Sequence, residues 1–188
     1  MPVEVRRVRP EDWPAWKAIR LEALEDTPIG FLELLADARR KTDAQWQERT
    51  VAAAEGDAHG LWLAWDGDRP VGCTGAVRYE PGDDAMVYSV YVGPAARGAD
   101  ALDRLLDAVE NWARTLEGVT RLRLEVHEDN ARARAAYTRR GFVETGGTAP
   151  YAPDPSRVEL ELARPLSRSL PGERRLRYRG RLLRGAAD

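Results

Sequence analysis

Near residue 95 the apolar residues of this chain change from short continuous runs to a helical repeat. Before that point, residues 61–65 and 71–79 flank an Asp-Gly turn, which is typical of a β-hairpin, and residues 86–92 add a further strand. After it, apolar side chains recur at helical spacing over about four turns, at Leu102, Leu105, Leu106, Val109, Trp112 and Leu116. The middle of the chain therefore predicts an antiparallel meander followed by a long amphipathic helix.

The flanking segments continue this mixture of strands and helices. Pro10 opens a helix that ends at residues 27–30, and further helices are predicted at residues 43–54 and 131–140. Strands are predicted at residues 3–8, 122–126 and 158–162. This order predicts an α/β (α+β) fold in which a mixed, mostly antiparallel central sheet is flanked by helices on both faces.

Composition limits the classes of protein that the chain can belong to. Its 188 residues are 43% hydrophobic and 32% charged, which is ordinary for a globular domain. No apolar run reaches the roughly 18 residues that span a bilayer, and the N-terminus has no apolar stretch after its charges. We therefore predict no signal peptide, no membrane partner and a cytoplasmic location.

Cysteine and histidine are too few for several kinds of site. The single cysteine, Cys73, cannot form an internal disulfide, and its apolar surroundings are typical of a small buried residue. His59 and His127 are the only histidines. We therefore expect neither a metal site nor a Cys–His catalytic pair.

The end of the chain differs in charge from the rest. Residues 165–188 contain seven arginines and two acids, so we divide the chain into a domain at residues 1–164 and an Arg-rich C-terminal extension. Within it, arginines alternate with leucines and Tyr178. One interpretation is contact with nucleic-acid phosphate, with Tyr178 stacked on a base. The other is a solvated or subunit-contacting extension.

Residues 86–114 predict a strand, a loop and a long helix in immediate succession. The first amides of a helix have no internal partner, and the helix dipole is positive at that end. Such a loop therefore suits an anion, and a diphosphate in particular. The other interpretation is a plain strand–helix connection without a ligand.

A second segment, residues 124–142, contains Asn-x-x-Ala-x-x-x-Tyr followed by Gly-Phe. Together the two segments resemble the GNAT superfamily of acetyl-CoA-dependent N-acetyltransferases, and the resemblance extends over residues 3–164. The positions that match its two motifs are Val92, Pro94, Arg97, Gly98, Asn130, Ala133, Tyr137, Gly141 and Phe142.

The resemblance implies acetyl-CoA as the cosubstrate and a primary amine of a small molecule or peptide as the acceptor. A strand that splays from its neighbour contacts the pantetheine arm, through Val90, Tyr91 and Val92. Loop amides hold the diphosphate, at Arg97, Gly98, Ala99, Asp100, Ala101 and Leu102. Asn130 lies near the pantetheine or the acceptor. By the same analogy, residues 27–35 and 146–155 shape the acceptor pocket, and a homodimer is a candidate assembly.

Two catalytic roles follow from the resemblance. Tyr137 is the predicted general acid, because a tyrosine pKa near 10 roughly matches a thiolate leaving group. Its other interpretation is an aromatic residue on the buried face of a short helix. Asp84 is the predicted general base, at the start of a strand, with Asp83 and Glu80 as runners-up. Each of these acids is otherwise a solvated turn residue.

The loop departs from the family pattern at Asp100 and Leu102, where the family has glycine. Leucine adds bulk, and aspartate adds a negative charge at a cost on the order of 1 kcal/mol or more unless it points away or caps the helix. Three hypotheses stay open. The enzyme binds acetyl-CoA through backbone amides, with help from Arg97. It uses another donor, such as aminoacyl-tRNA held by the Arg-rich extension. Or it is a non-catalytic GNAT-fold binding protein.

Overall fold

The computed structural model describes residues 3–79 and 82–166, which form a seven-stranded sheet with helices on both faces. The strands are β1 (Glu4–Arg7), β2 (His59–Asp66), β3 (Arg69–Arg78), β4 (Asp84–Val92), β5 (Arg121–His127), β6 (Val143–Pro150) and β7 (Val158–Pro165). The α-helices are α1 (Trp13–Asp26), α2 (Leu35–Arg40), α3 (Asp43–Glu55), α4 (Ala101–Ala113) and α5 (Ala131–Arg139). Beyond Leu166, the predicted Arg-rich extension lies outside the described residues. Within the described part, no helix is long and apolar enough to cross a membrane.

The sheet has the strand order β1-β2-β3-β4-β5-β7-β6. Each neighbouring pair is antiparallel except β4 and β5, which are parallel. At the β2–β3 hairpin, Asp66 pairs with Arg69, and Gly67 adopts a φ of 59°. A two-residue turn of this kind needs positive φ, which glycine adopts without a steric cost. The predicted fold class is confirmed.

Each face of the sheet has its own hydrophobic core. On one face, Leu105, Leu106 and Val109 of α4 are completely buried. On the other face, α1 and α3 bury Ile19 and Trp46. Each such side chain contributes about 2 kcal/mol through the apolar surface that it removes from water. The amphipathic pattern of α4 therefore sets which face of the sheet it covers.

Cys73 lies within the second of these cores. It is fully buried, and burial raises the pKa of its thiol to about 12. Its Sγ lies 3.3 Å from the backbone carbonyl of Ser89. The prediction that Cys73 is a buried residue is confirmed.

Two elements, α2 and β6, were not predicted from the sequence. Helix α2 has six residues, of which only Ala38 is buried, so it lacks an apolar stripe. Strand β6 is exposed along nearly its whole length and contains a register break between Glu144 and Thr148. An exposed edge strand needs no alternation of apolar residues, and therefore leaves no periodic signal.

Strands β4 and β5 pair only at their beginnings. Their register runs from Asp84 with Arg121 to Met86 with Arg123, and ends there. Further along β4, Ser89 has a φ of 52°, and Ser89 and Val90 together face the single position between Cys73 and Gly75 of β3. This is a β-bulge, which bends a strand. The bend accompanies the divergence of β4 from β5 and opens the sheet between them.

Candidate active site

A cleft of about 580 Å³ lies where β4 and β5 diverge, and we call it the β4/β5 cleft. Its walls come from the end of β4, the loop before α4, the end of β5 and helix α5. Nine of the eleven residues predicted to contact acetyl-CoA line it, namely Val90, Tyr91, Val92, Arg97, Gly98, Ala99, Leu102, Asn130 and Tyr137. Asp100 and Ala101 do not line it, although both lie in the part of the chain that the structure describes. The sequence-predicted residues are thus brought together, and their roles stay predictions.

The loop before α4 is fixed by its arginine. Nε of Arg97 donates a hydrogen bond of 3.0 Å to the carbonyl of Val92, and its Nη2 forms an ion pair with Asp26 at the end of α1. The guanidinium also lies 5.9 Å from the ring centre of Tyr91. Gly98 follows with a φ of 82°, which a residue with a side chain adopts only with strain. Arg97 therefore joins the end of β4 to α1, in addition to lining the cleft.

The two departures from the family loop are accommodated differently. Asp100 is the N-cap residue of α4, but its side chain makes no capping bond and instead lies 2.5 Å from Nε of Arg104. The interpretation of Asp100 as a side-chain cap is therefore wrong. Leu102 lines the cleft while it also packs, half-buried, against the α4 core. Ala101 beside it is fully buried.

Helix α5 supplies cations that the sequence analysis did not single out. Arg132, Arg139 and Arg140 line the cleft together with Arg97. Arg132 donates to the hydroxyl of Thr27 at 3.1 Å, and Arg140 pairs with acids of α4. The sequence signal was the run of arginines at residues 132–140, which surrounds the predicted motif.

Tyr137 and Asn130 have different local roles. The ring of Tyr137 is buried, its centre lies 5.9 Å from that of Phe142, and burial raises the pKa of its hydroxyl. Asn130 is the N-cap of α5, because its Oδ1 accepts a 3.1 Å bond from the amide of Ala133. Both residues line the cleft, burial favours the protonated form of the Tyr137 hydroxyl, and Asn130 caps the helix that carries Tyr137.

His127 is a cleft residue that sequence reasoning missed. Its Nδ1 accepts a 3.1 Å hydrogen bond from the amide of Asp129, so a neutral ring carries its proton on Nε2. Its ring is buried and meets Tyr151 edge-on, with 4.6 Å between the centres. A lone histidine at the end of a strand gives no periodic signal of such a position.

A second cavity of about 610 Å³ lies under α1 and α3, and we call it the α1/α3 cavity. It shares Gly30, Phe31 and Glu125 with the β4/β5 cleft, so Glu125 stands where the two meet. Glu159, on the neighbouring strand β7, is buried in its wall. Burial, and then the charge of Glu125, raises the pKa of Glu159.

The position of Tyr88 in the cavity wall depends on Gly75, which does not itself line the cavity. The ring of Tyr88 lines the cavity and stacks on His59, with 5.8 Å between the ring centres and a hydrogen bond between His59 Nε2 and the Tyr88 hydroxyl. A Cβ atom on Gly75 would collide with that ring. Glycine at this position of β3 is therefore what lets Tyr88 lie where it does.

Asp84 begins β4, as the sequence predicts, but it lies outside the lining of the cleft. Its carboxylate forms ion pairs with Arg121 and Arg123, and it lines neither the cleft nor the cavity. Asp83 accepts a bond from Thr120 at 3.1 Å and is likewise outside both linings. The reason is that Asp84 begins β4 and Asp83 directly precedes it, whereas the cleft opens at the other end of the strand. Glu80 lies outside the described residues.

The comparisons with known proteins agree with this fold. Residues 13–142 match the Acetyltransferase (GNAT) family, and the chain therefore belongs to that family of acetyltransferases. An IAA acetyltransferase of Azospirillum brasilense is 35% identical over 91 residues, which are 48% of this chain and 59% of that protein. A mycothiol acetyltransferase of Frankia casuarinae is 34% identical over 143 residues, which are 75% of this chain and 41% of that protein. The chain spans about half the length of the curated relatives it matches.

Solved structures show the same fold at lower sequence identity. A GNAT-family acetyltransferase from Streptococcus pneumoniae superimposes with a TM-score of 0.73 at 17% identity, over 87% of this chain and 99% of that one. The PaiA N-acetyltransferase from Thermoplasma acidophilum, solved in complex with coenzyme A, gives a TM-score of 0.67 at 19% identity, over 86% and 98% of the two chains.

Proposed function

We propose that the protein transfers an acetyl group from acetyl-CoA to a primary amine of a small molecule or peptide. The observation that carries this proposal is the junction at Phe31 and Glu125, which line both the β4/β5 cleft and the α1/α3 cavity. A thioester in the cleft and an amine in the cavity would meet there. Direct attack within one ternary complex therefore needs no covalent enzyme intermediate.

The β4/β5 cleft fits an acyl-CoA in shape and charge. Beyond Met86, no strand among the described residues pairs with the edge of β4 that faces β5, so that edge can accommodate an extended pantetheine arm. The amides of residues 97–99 precede α4, where the helix dipole favours an anion. Arg132 and Arg139 add charge suited to phosphate. When bound, acetyl-CoA supplies the thioester; the residues named here hold and orient it.

The acid and base of the reaction are assigned from position. Tyr137 lines the cleft, and burial keeps its hydroxyl protonated, so we assign that hydroxyl the proton transfer to the departing sulfur. For the base we assign Glu159, acting with Glu125 directly or through water, in place of Asp84. Both residues line the cavity, whereas the carboxylate of Asp84 is held by two arginines.

Calorimetric titration with acetyl-CoA, followed by a thiol-release assay over a panel of amines, tests the proposal. We expect micromolar binding and amine-dependent thiol release. Binding without release for any amine would favour the non-catalytic hypothesis. No binding of acetyl-CoA, together with salt-sensitive binding of bulk tRNA, would favour an aminoacyl-tRNA donor.

A further inference from the structure

The two walls of the α1/α3 cavity carry opposite charge. The helical wall includes Arg20 of α1 and Arg49 of α3, with Glu33 between α1 and α2. The sheet wall includes Glu125 of β5 and Glu159 of β7. Some of these charges have ion-pair partners within the protein. Those that do not determine which charged groups a ligand needs in order to bind.

On the helical wall, one carboxylate serves two cations. Arg20 donates from Nε to Glu33 at 3.0 Å and from Nη1 to the hydroxyl of Ser89 at 3.2 Å, and its guanidinium lies 4.4 Å from the ring centre of Phe31. Lys41 also forms an ion pair with Glu33. The single negative charge of Glu33 therefore already neutralises part of two positive charges, those of Arg20 and Lys41.

Arg49 adds a third positive charge to this wall. It occupies an exposed position on α3, one turn after Trp46, which lines the same cavity. Among residues 3–79 and 82–166, no carboxylate lies within ion-pair distance of its guanidinium. Its five donors are therefore available to a ligand that enters the cavity.

The sheet wall has an excess of negative charge. Glu159 is buried and has no cationic partner among the described residues. Glu125 has one weak partner, Arg123 at 3.6 Å, which bonds Glu161 more closely at 2.7 Å. A cationic ammonium entering the cavity is therefore attracted to the sheet wall, and an anionic group to the helical wall.

We propose that the acceptor is an amino carboxylate, such as an amino acid, whose amine faces Glu159 and whose carboxylate binds Arg49. This inference rests on the proposed acetyl transfer. The ammonium gives one proton to Glu159, and the neutral amine that results bonds the thioester carbonyl carbon through its nitrogen. As the carbon–sulfur bond breaks, Tyr137 protonates the sulfur, and the second proton that the nitrogen loses returns to Tyr137 through water. The products are the N-acetyl amino carboxylate and free coenzyme A, so atoms and protons balance.

Matched acceptors test the charge requirement. The set contains L-α-amino acids, ω-amino acids of two to six carbons, the methyl ester of each, and alkylamines of the same length. We expect the wild-type kcat/KM for a good carboxylate to exceed that for its ester by about tenfold or more, which is typical of one charged hydrogen-bonded contact. Arg49→Gln should bring the ratio close to one by lowering the rate for the acid alone, and Arg49→Glu should favour the alkylamine.

Arg40→Gln is the matched control, because Arg40 pairs with Asp37 on α2 and lines neither cavity. The Arg40→Gln variant should keep the wild-type ratio of kcat/KM for the amino carboxylate to kcat/KM for its ester. Equal rates for acids and esters in the wild type, an unchanged ratio in Arg49→Gln, or acetyl-CoA binding without transfer to any member of the set would each overturn the amino carboxylate assignment. Transfer to alkylamines alone would also overturn it but leave acetyl transfer intact. Failure of acetyl-CoA binding would remove the proposed function itself.

Discussion

The carboxylate of Asp100 lies 2.5 Å from Nε of Arg104, one turn further along α4. From the sequence, Asp100 places a negative charge beside a loop suited to a diphosphate. In the folded chain, that charge is paired with a cation and is directed along the helix, outside the cleft lining. The loop therefore tolerates aspartate where the family has glycine.

Arg104→Ala should weaken acetyl-CoA binding by about fivefold, because an unpaired Asp100 beside the loop costs roughly 1 kcal/mol. The double variant Asp100→Asn with Arg104→Ala should restore the wild-type affinity. Calorimetry at low salt measures both. An equal loss in the single and double variants would show that Arg104 contacts the ligand itself.

Tyr137→Phe should lower kcat by about 100-fold with little change in KM, because the general acid is lost while the ring still packs on Phe142. Since burial raises the pKa of Tyr137, its deprotonation should not limit the wild-type rate between neutral and mildly alkaline pH. Steady-state kinetics across pH measure this, and thermal unfolding controls for folding. An unchanged kcat would remove the role of Tyr137 as the acid.

Glu159→Gln should make the protein more stable at neutral pH and less active. Burial raises the folded-state pKa of Glu159 above its unfolded value, so the ionised carboxylate destabilises the fold at any pH above that unfolded value. The gain in stability should therefore vanish near pH 3, where the carboxyl is protonated in both states. Urea unfolding at the two pH values measures the difference. A loss of stability at neutral pH would contradict this account.

Glu125→Gln should shift the acidic limb of kcat/KM to lower pH. The charge of Glu125 contributes, after burial, to the raised pKa of Glu159, so its removal lets Glu159 ionise more easily. A pH profile of the variant against the wild type measures the shift. If the limb does not move, a group other than Glu159 is the base.

Glu33→Gln should lower the free energy of unfolding by about 2–3 kcal/mol, because it leaves Arg20 charged and largely buried without its carboxylate. Asp37→Asn removes an exposed ion pair with Arg40 and should cost less than about 0.5 kcal/mol. Chemical denaturation measures both. Similar costs for the two variants would indicate that Arg20 finds another partner.

Sequence patterns predicted the β2–β3–β4 meander from apolar runs separated by turn residues, and α4 from its amphipathic repeat, because these elements are largely buried. Nine of the eleven residues that the GNAT resemblance implies for acetyl-CoA line the β4/β5 cleft. Short or exposed elements such as α2 and β6 were not predicted, since little of their surface is buried and they leave no periodic pattern. The homodimer, the cytoplasmic location and the role of the Arg-rich extension stay predictions.

The acceptor side was harder to predict for a physical reason. Glu159 alternates with the apolar Val158 and Leu160, which indicates a polar face of β7 but not what covers it. That face becomes a cavity wall only because β7 pairs with β5 and α1 and α3 pack over the sheet. Asp84 was chosen because it begins a strand, near where family members often carry a carboxylate, and the length of β4 separates it from the cleft.

The contact between Gly75 and the ring of Tyr88 bears on how acceptor preference diverges among relatives. The width of the cavity at Tyr88 depends on a residue of β3 that does not itself line the cavity. A mutation that adds a methyl group there would push the ring out of place and alter the range of amines accepted. Relatives can therefore share every residue that lines the cavity and still select different amines. When a substrate is inferred from a relative, the residue at the position of Gly75 has to be compared as well.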